Sequence, residues 1–509
     1  MDYKKIYEEW ISNEYYDEET REELLEIKGN EAEIKDRFYK ELEFGTGGLR
    51  GIIGAGTNRM NKYTVVKVTQ GFANYLKSKA NFDSNKGVAI SYDNRNKSYE
   101  FALYSSLVLN GNGIKTYVFK NLRPTPMLSF AVRSKNCIGG IMITASHNPR
   151  EYNGYKVYGE DGAQLVSPKD AELISYVNKV KDFSEIKILT EEEAINKGFL
   201  NFIDQEMDSE YIEKVISRVV NKDIKKDIKI VYTPLHGTGT IPVELALKKA
   251  GYKEFNIVEE QKVADSNFTT APYPNPEDKS VFSSGLKIAK EIEADVVLAT
   301  DPDADRVGAY VKHKGDYVYF TGNMIGSILI EYILKSREEQ GKDNSKGYIV
   351  STIVSTNMAK KIVHSYGANY LNVLTGFKYI AEKIKSFEHT DNEFLFGFEE
   401  SIGYLSTDLV RDKDAISTAV LICEVISYYK SQEKTLVDII NEMYKKYGYF
   451  LEDTQSITLK GVEGVEKMKK IMKAIRELDK REFVDLKTEE IRDYKEGKGK
   501  KIKESTVYD

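Results

Sequence analysis

The chain has 509 residues, 41% of them hydrophobic and 30% charged, with a formal net charge of −6. That length exceeds what one hydrophobic core organises and implies about three or four domains of a soluble protein, while the mild negative charge gives no reason to expect nucleic acid or an anionic membrane as a partner. Cys137 and Cys423 are the only cysteines, too few for a disulfide framework or a cysteine-built zinc site, and no apolar run approaches the roughly 20 residues that span a bilayer.

The N-terminal stretch MDYKKIYEEW has no signal-peptide apolar region, which fits a cytoplasmic protein. Ile6, Trp10, Leu24 and Ile27 fall at helical spacing among Glu and Lys, so the opening of the chain reads as helix. Short apolar runs then alternate with helical stretches. The predicted strands are GVAISYD (87–93), IKTYVFK (114–120), IGGIMIT (138–144), DIKIVYT (227–233), ADVVLAT (294–300), GYIVSTIVS (347–355) and NEFLFGFE (392–399). Helices such as TVVKVTQGFANYLKSK and NMIGSILIEYILKSREE lie between them. Strand alternating with helix predicts α/β architecture with largely parallel sheets. The predicted domains are 1–208, 209–322 and 323–447, with 448–509 starting a further one. The Lys/Gly-rich tail from Arg492 is expected to be mobile unless something covers it.

Four polar loops each leave the C-terminal end of a predicted strand, where open α/β sheets bind ligands. ITASHNP follows IGGIM, TPLHGTGT follows IKIVY, TDPDADR follows ADVVLA and FEESIGY follows EFLFG. In the third, Asp301, Asp303 and Asp305 would repel one another if left alone, and a shared hard cation resolves the conflict. Mg²⁺ is the usual cation where phosphate is also present; a solvated acidic turn is the alternative. Arg306 can pair with a phosphate or with one of these carboxylates. Ser146 in TASHNP is a candidate nucleophile with His147 beside it, although serine also caps turns and helices. The segment FGTGGLRG (44–51) offers backbone N–H groups and Arg50 as an anion nest, but it has neither P-loop nor GxGxxG spacing. Glu399 and Ser401 suit hydrogen bonds to sugar hydroxyls, or form an exposed turn. Lys156 and Lys378 are loop lysines able to act as acid, base or phosphate contact, though most such lysines are only solvated. His147 and His236 are the two histidines in strand-end loops.

Together FGTGGLRG, TASHNPREYNGYKVY, TPLHGTG, DPDADRVG, TGFKYI, GFEESIGYL and RDKDA resemble the α-D-phosphohexomutases, the phosphoglucomutase and phosphomannomutase family, in that family's order across residues 44–415. GFEESIGYL and TGFKYI look more like the glucose-type enzymes; mannose and pentose phosphates are the alternative substrates. The resemblance implies three α/β domains around a cleft and the start of a fourth. It implies a phosphoserine at Ser146 that completes a Mg²⁺ shell with Asp301, Asp303 and Asp305. Arg50, His147 and Lys156 would surround the transferring phosphoryl group. Glu399 and Ser401 would hold the sugar, with Lys378 and Arg306 nearby, and Arg411 and Lys413 are further family-pattern residues in the substrate site. Glucose 1,6-bisphosphate would be intermediate and activator. The family's last domain carries an RxSGTEP loop that grips the non-reacting phosphate. That loop is missing here, and residues from about 450 read only as its first strand and a helix with Val462, Val465, Met468, Ile471, Met472, Ile475 and Leu478 on one face. A truncated form, or one of altered function, is the expectation. Two other readings stay open: a haloacid-dehalogenase-type phosphatase with Asp301 as nucleophile, which leaves TASHNP unexplained, and a sugar-phosphate binder with little turnover.

Overall fold

Seven stretches of apolar residues become strands where the sequence pattern places them, and in the computed structural model they organise three mixed sheets. The structure describes residues 2–45, 48–452, 459, 461–477, 482–483, 486–487, 490–501 and 506–508. Thr46 and Gly47 of FGTGGLRG, Leu478 of the C-terminal helix pattern and most of the strand expected before that helix lie outside the described residues.

The first sheet contains β1 (Phe44–Gly45), β2 (Gly48–Ile52), β3 (Val88–Tyr92), β4 (Thr116–Phe119), β5 (Gly139–Ile143), β6 (Tyr152–Gly159) and β7 (Leu200–Ile203), in the order β1-β2-β6-β5-β3-β4-β7. Strands β5, β3, β4 and β7 are parallel, whereas β6 runs antiparallel between β5 and β2. The second sheet takes β8 (Ile230–Thr233), β9 (Phe255–Ile257), β10 (Val296–Thr300), β11 (Val307–His313) and β12 (Asp316–Phe320) in the order β12-β11-β10-β8-β9. The third takes β13 (Gly347–Thr352), β14 (Asn369–Val373), β15 (Glu393–Glu399) and β16 (Gly403–Leu405) in the order β14-β13-β15-β16. Strands β3, β5, β8 and β10 are buried at every residue. That is why their sequences are continuous apolar runs rather than alternating ones. The antiparallel strands β6, β11, β12 and β16 were not among the predicted strands. They are Tyr-, Gly- and Lys-containing segments whose pairing is set by the neighbouring strand rather than by their own apolar content.

The opening stretch forms three helices, Tyr3–Ser12, Glu18–Glu26 and Glu31–Phe38. Trp10 stacks on Tyr16 at 4.2 Å and meets Phe38 and Tyr63 edge-on, so these helices close over the first domain's edge. One buried apolar cluster continues from Met127 and Tyr158 through Tyr232 and Leu298 to Phe398 and Ile416, so the three sheets share a core. No helix among the described residues is long and apolar enough to cross a membrane.

Residues 451–509 form a separate unit. It contains the helix Gly461–Glu477, on which Met468, Met472 and Ile475 are exposed. In the tail, Glu490–Asp493, Lys498–Lys501 and Thr506–Tyr508 form a three-stranded antiparallel sheet. A tight turn at Gly497, with φ of +67°, makes the first pairing possible.

Candidate active site

Strand β10 ends at Thr300, and the chain turns through Asp301–Arg306 before β11 carries it back. Ala304 takes a left-handed φ of +46°, which folds the turn so that all three aspartates face inward. Each is at most 1% exposed, and one carboxylate oxygen from each lies within 4.8 Å of the others. Cations from two other regions answer this charge. Lys156 Nζ on β6 donates to Asp303 Oδ2 at 2.9 Å and lies 3.8 Å from Asp305 Oδ2. Lys413 Nζ is 3.0 Å from Asp305 Oδ2. Thr125 Oγ1 also donates to Asp303 Oδ2, at 2.8 Å, and the Arg306 backbone N–H donates to Asp301 Oδ1 at 3.1 Å. Burial and the neighbouring Asp303 and Asp305 push Asp301 well above the usual carboxylate range. Burial would raise Asp303 too, but the Lys156 ammonium together with hydrogen bonds from Asp301 and Thr125 holds Asp303 low. Asp303 Oδ1 and Asp305 Oδ1 remain buried with no hydrogen-bond partner. Unpaired buried carboxylate oxygens converging from one turn are the donor set that a hard divalent cation takes. The residues fit a metal.

Ser146 is delivered to the same place by the turn after β5. It is 4% exposed with φ of +52°, and its Oγ donates to Asp301 Oδ2 at 2.8 Å. His147 Nδ1 lies 3.2 Å from that Oγ. Burial, with the Arg306 and Arg50 charges nearby, pushes the His147 imidazole down to about 3, so the ring is neutral at pH 7. Arg50 on β2 is exposed, and its Nη1 donates to Asn148 Oδ1 at 3.2 Å, beside the serine.

The third sheet meets the aspartate turn through backbone. Val307 N–H donates to Ile402 C=O at 3.1 Å, Ala415 N–H donates to Ala304 C=O at 3.3 Å, and Arg306 bridges Gly403. These bonds bring the FEESIGY loop against the cluster. Arg306 Nη1 donates to the Ser401 carbonyl at 3.3 Å. Glu399 is buried at the end of β15, accepting from Gly376 N–H at 2.9 Å; burial raises its carboxyl against the pull of Lys413 and Arg306. The loop TPLHGTGT packs under the turn, with Thr238 N–H and Oγ1 both donating to Pro302 C=O at 2.8 and 2.9 Å. His236 is occupied there, its ring nitrogens within reach of Val263 C=O (3.0 Å) and Thr270 Oγ1 (2.8 Å).

Two expected site residues sit elsewhere in this conformation. Lys378 Nζ lies 3.3 Å from Asp170 Oδ2, and Arg411 donates to Glu388 at 3.0 Å and to nearby carbonyls. Residues that the sequence reading passed over are closer to the chemistry. Thr125 touches Asp303. Asp412 accepts from Tyr158 and Gln164 at 2.8 Å each and lies 3.2 Å from Lys413 Nζ, which orients that lysine. Asp93 and Arg95, in a loop after β3, lie behind Ser146; their signal was their place at a strand's C-terminal end, as for the four loops that were recognised.

Three domain profiles match this chain: phosphoglucomutase/phosphomannomutase α/β/α domain I over residues 41–183, domain II over 209–315 and domain III over 321–447. A phosphoglucomutase of Staphylococcus epidermidis is 36% identical over 507 residues, covering 99% of this chain and 89% of that one. The chain belongs to the phosphoglucomutase/phosphomannomutase family. Another family member, the phosphoglucomutase of Staphylococcus haemolyticus, is 37% identical over 458 residues, 90% of this chain and 82% of that one. Solved structures of the family share the fold. Parafusin (phosphoglucomutase) from Paramecium has a TM-score of 0.64 at 18% identity, covering 81% of this chain and 75% of that one. A phosphoglucomutase/phosphomannomutase family protein from Burkholderia thailandensis has 0.61 at 19%, with 78% of each chain covered.

Proposed function

We propose that the chain is a cytoplasmic phosphoglucomutase that interconverts glucose 1-phosphate and glucose 6-phosphate through phospho-Ser146 and glucose 1,6-bisphosphate. The observation that carries the reading is Ser146 Oγ, held 2.8 Å from Asp301 Oδ2 at the edge of a buried triple-carboxylate turn. A serine set there carries a phosphoryl group in the one place where a divalent cation would share its charge. Asp301, Asp303 and Asp305 would hold Mg²⁺ together with Ser146, and the bound ion supplies charge neutralisation at the transferring group.

The protein's own side chains do the rest. Arg50, His147 and Lys156 line the approach to Ser146, and Lys413 and Arg306 add positive charge for a substrate phosphate. Glu399 and Ser401 hold sugar hydroxyls, and Lys378 and Arg411 are assigned to the substrate side. The three domains that contribute are 1–208, 209–322 and 323–447. Phospho-Ser146 gives its phosphoryl group to a sugar hydroxyl, whose proton leaves to a neighbouring base, and the bisphosphate forms. It turns end for end and returns its other phosphoryl group to Ser146. Glucose 1,6-bisphosphate added from outside primes unphosphorylated enzyme by the same return step.

Phosphopeptide mapping of the purified protein, with a coupled assay on glucose 1-phosphate, tests this. Phosphate is expected on Ser146, and Ser146→Ala is expected to end turnover while the protein stays folded. Phosphate found on an aspartate instead would overturn the assignment. Turnover of mannose 1-phosphate or ribose 1-phosphate equal to that of glucose 1-phosphate would overturn the substrate.

A further inference from the structure

The loop after β3 holds two charged side chains that the scheme above leaves unused. Asp93 and Arg95 are 2% and 3% exposed and form an ion pair at 3.3 Å. A buried pair is not by itself a source of stability, so what its hydrogen bonds hold is the informative part. Arg95 Nη1 donates to the carbonyls of Pro149 (2.8 Å) and Tyr152 (3.0 Å), and its Nη2 donates to those of Ser146 and Asn148. One guanidinium therefore grips the turn between β5 and β6 along its length. On the opposite side, Asp93 Oδ2 accepts from Thr144 Oγ1 at 2.6 Å, and that Oγ1 accepts from the Ser146 backbone N–H at 2.9 Å. Asp93 Oδ1 is fixed in turn by Arg95 N–H (3.0 Å) and Ser98 Oγ (2.8 Å).

The turn needs such a brace. Ser146 lies in the left-handed region, which glycine would occupy without strain, but glycine has no hydroxyl. A side-chain-bearing residue persists there when its surroundings over-determine it. The same loop also reaches the domain that carries the aspartates. Asn94 Nδ2 donates to Asp265 C=O at 2.9 Å, and the Arg95 guanidinium sits 5.1 Å from the Phe268 ring. It thus ties the serine turn to the frame from which Asp301 projects.

We propose that Asp93, Arg95 and Thr144 are positioning residues that set Ser146 Oγ against Asp301 and so govern the rate of phosphoryl transfer rather than sugar affinity. The inference rests on the phosphoserine reading above. A displacement of about 1 Å at a reacting atom can cost on the order of 10²-fold in rate. Arg95→Lys, which cannot span the same carbonyls, is expected to slow transfer by about 10²-fold, and Thr144→Val by about tenfold. Thr144→Ser keeps the hydroxyl and should restore the wild-type rate. KM for glucose 1-phosphate should stay within about twofold in each, the signature of an interaction lost after binding.

The experiment is single-turnover transfer from phospho-Ser146 to glucose 1-phosphate, with the rate constant normalised to phosphoserine content by intact mass and Tm measured in parallel. A wild-type protein that transfers nothing refutes the phosphoserine reading itself. Wild-type transfer with unchanged rate constants in Arg95→Lys and Thr144→Val overturns the present inference, even if their Tm falls, because the network would then be only structural. If Arg95→Lys does not fold, the Thr144→Val and Thr144→Ser pair decides the question alone.

Discussion

Replacing Lys156 by Met removes one ammonium from beneath the aspartate cluster and keeps most of the side chain's volume. Its Nζ lies 2.9 Å from Asp303 Oδ2 and 3.8 Å from Asp305 Oδ2, with the side chain 7% exposed. At an effective dielectric of about 20 the two attractions amount to roughly 6 and 4 kcal/mol gross. Much of that offsets desolvation, and removing one partner of a buried pair typically costs about 3–5 kcal/mol net. The loss should be confined to metal-free protein, because a divalent cation supplies positive charge to the same carboxylates. Urea unfolding of wild type and Lys156→Met, in chelator and in saturating Mg²⁺, measures it. The variant should be less stable by about 3–5 kcal/mol in chelator, and the gap should narrow in Mg²⁺ while transfer remains impaired. An equal gap in both conditions, or none in chelator, would refute the charge argument.

Asp301→Asn, Asp303→Asn and Asp305→Asn should each lower turnover by on the order of 10²-fold or more and weaken the dependence of Tm on Mg²⁺; activity that survives in all of them would make the cluster structural. His147 binds its proton more weakly in the folded protein, at about 3 against 6.5 for the free group, because it is buried beside Arg306 and Arg50. The unfolded chain therefore holds more protons between those values, and stability falls as pH drops from about 6.5 toward 3. In chelator, His147→Gln should flatten that slope, and an unchanged slope would show that other groups set it. Arg123 and Asp208 form a bidentate buried pair at 2.8 and 2.7 Å that joins the β4 end to the helix Gln205–Ser217. Arg123→Met should cost about 3–5 kcal/mol, and adding Asp208→Leu should recover much of it; a second substitution that destabilised further would contradict this.

The aspartate turn was legible because its chemistry is local, three carboxylates at alternate positions, whereas Ser146 at a strand end was equally a capping serine until the resemblance of the whole motif set singled it out. Four of the seven apolar strands, β3, β5, β8 and β10, were legible because burial on both faces leaves no alternation to confuse them with amphipathic segments, and β4, β13 and β15 because they are apolar over most of their length. What escaped was compensation between distant parts of the chain. Lys156 and Lys378 look alike in sequence, each beside glycine and aromatic residues. Only the fold sends one to Asp303 and the other to Asp170. Asp93 and Arg95 stand at the end of a predicted strand, but nothing local reveals that Arg95 donates to carbonyls beyond residue 145 or that Asp93 accepts from Thr144. The strand pairing in the C-terminal tail was not legible either, because its Lys and Gly content carries no strand pattern and the pairing rests on a turn and unblocked backbone.

Gly237 illustrates a different kind of dependence. A Cβ built there would lie between 2.5 and 2.9 Å from three backbone atoms of Pro302, and backbone cannot step aside as a side-chain tip would. The loops TPLHGTGT and DPDADR are therefore stacked at the closest approach that peptide allows, like two sheets of card with no spacer. A single methyl group on Gly237, which carries no charge and offers no ligand atom, would tilt the turn from which Asp301, Asp303 and Asp305 hang. Tolerance to substitution around this site is thus set by thickness as much as by chemistry, and a search for important positions ranked by polarity or reactivity would pass over it.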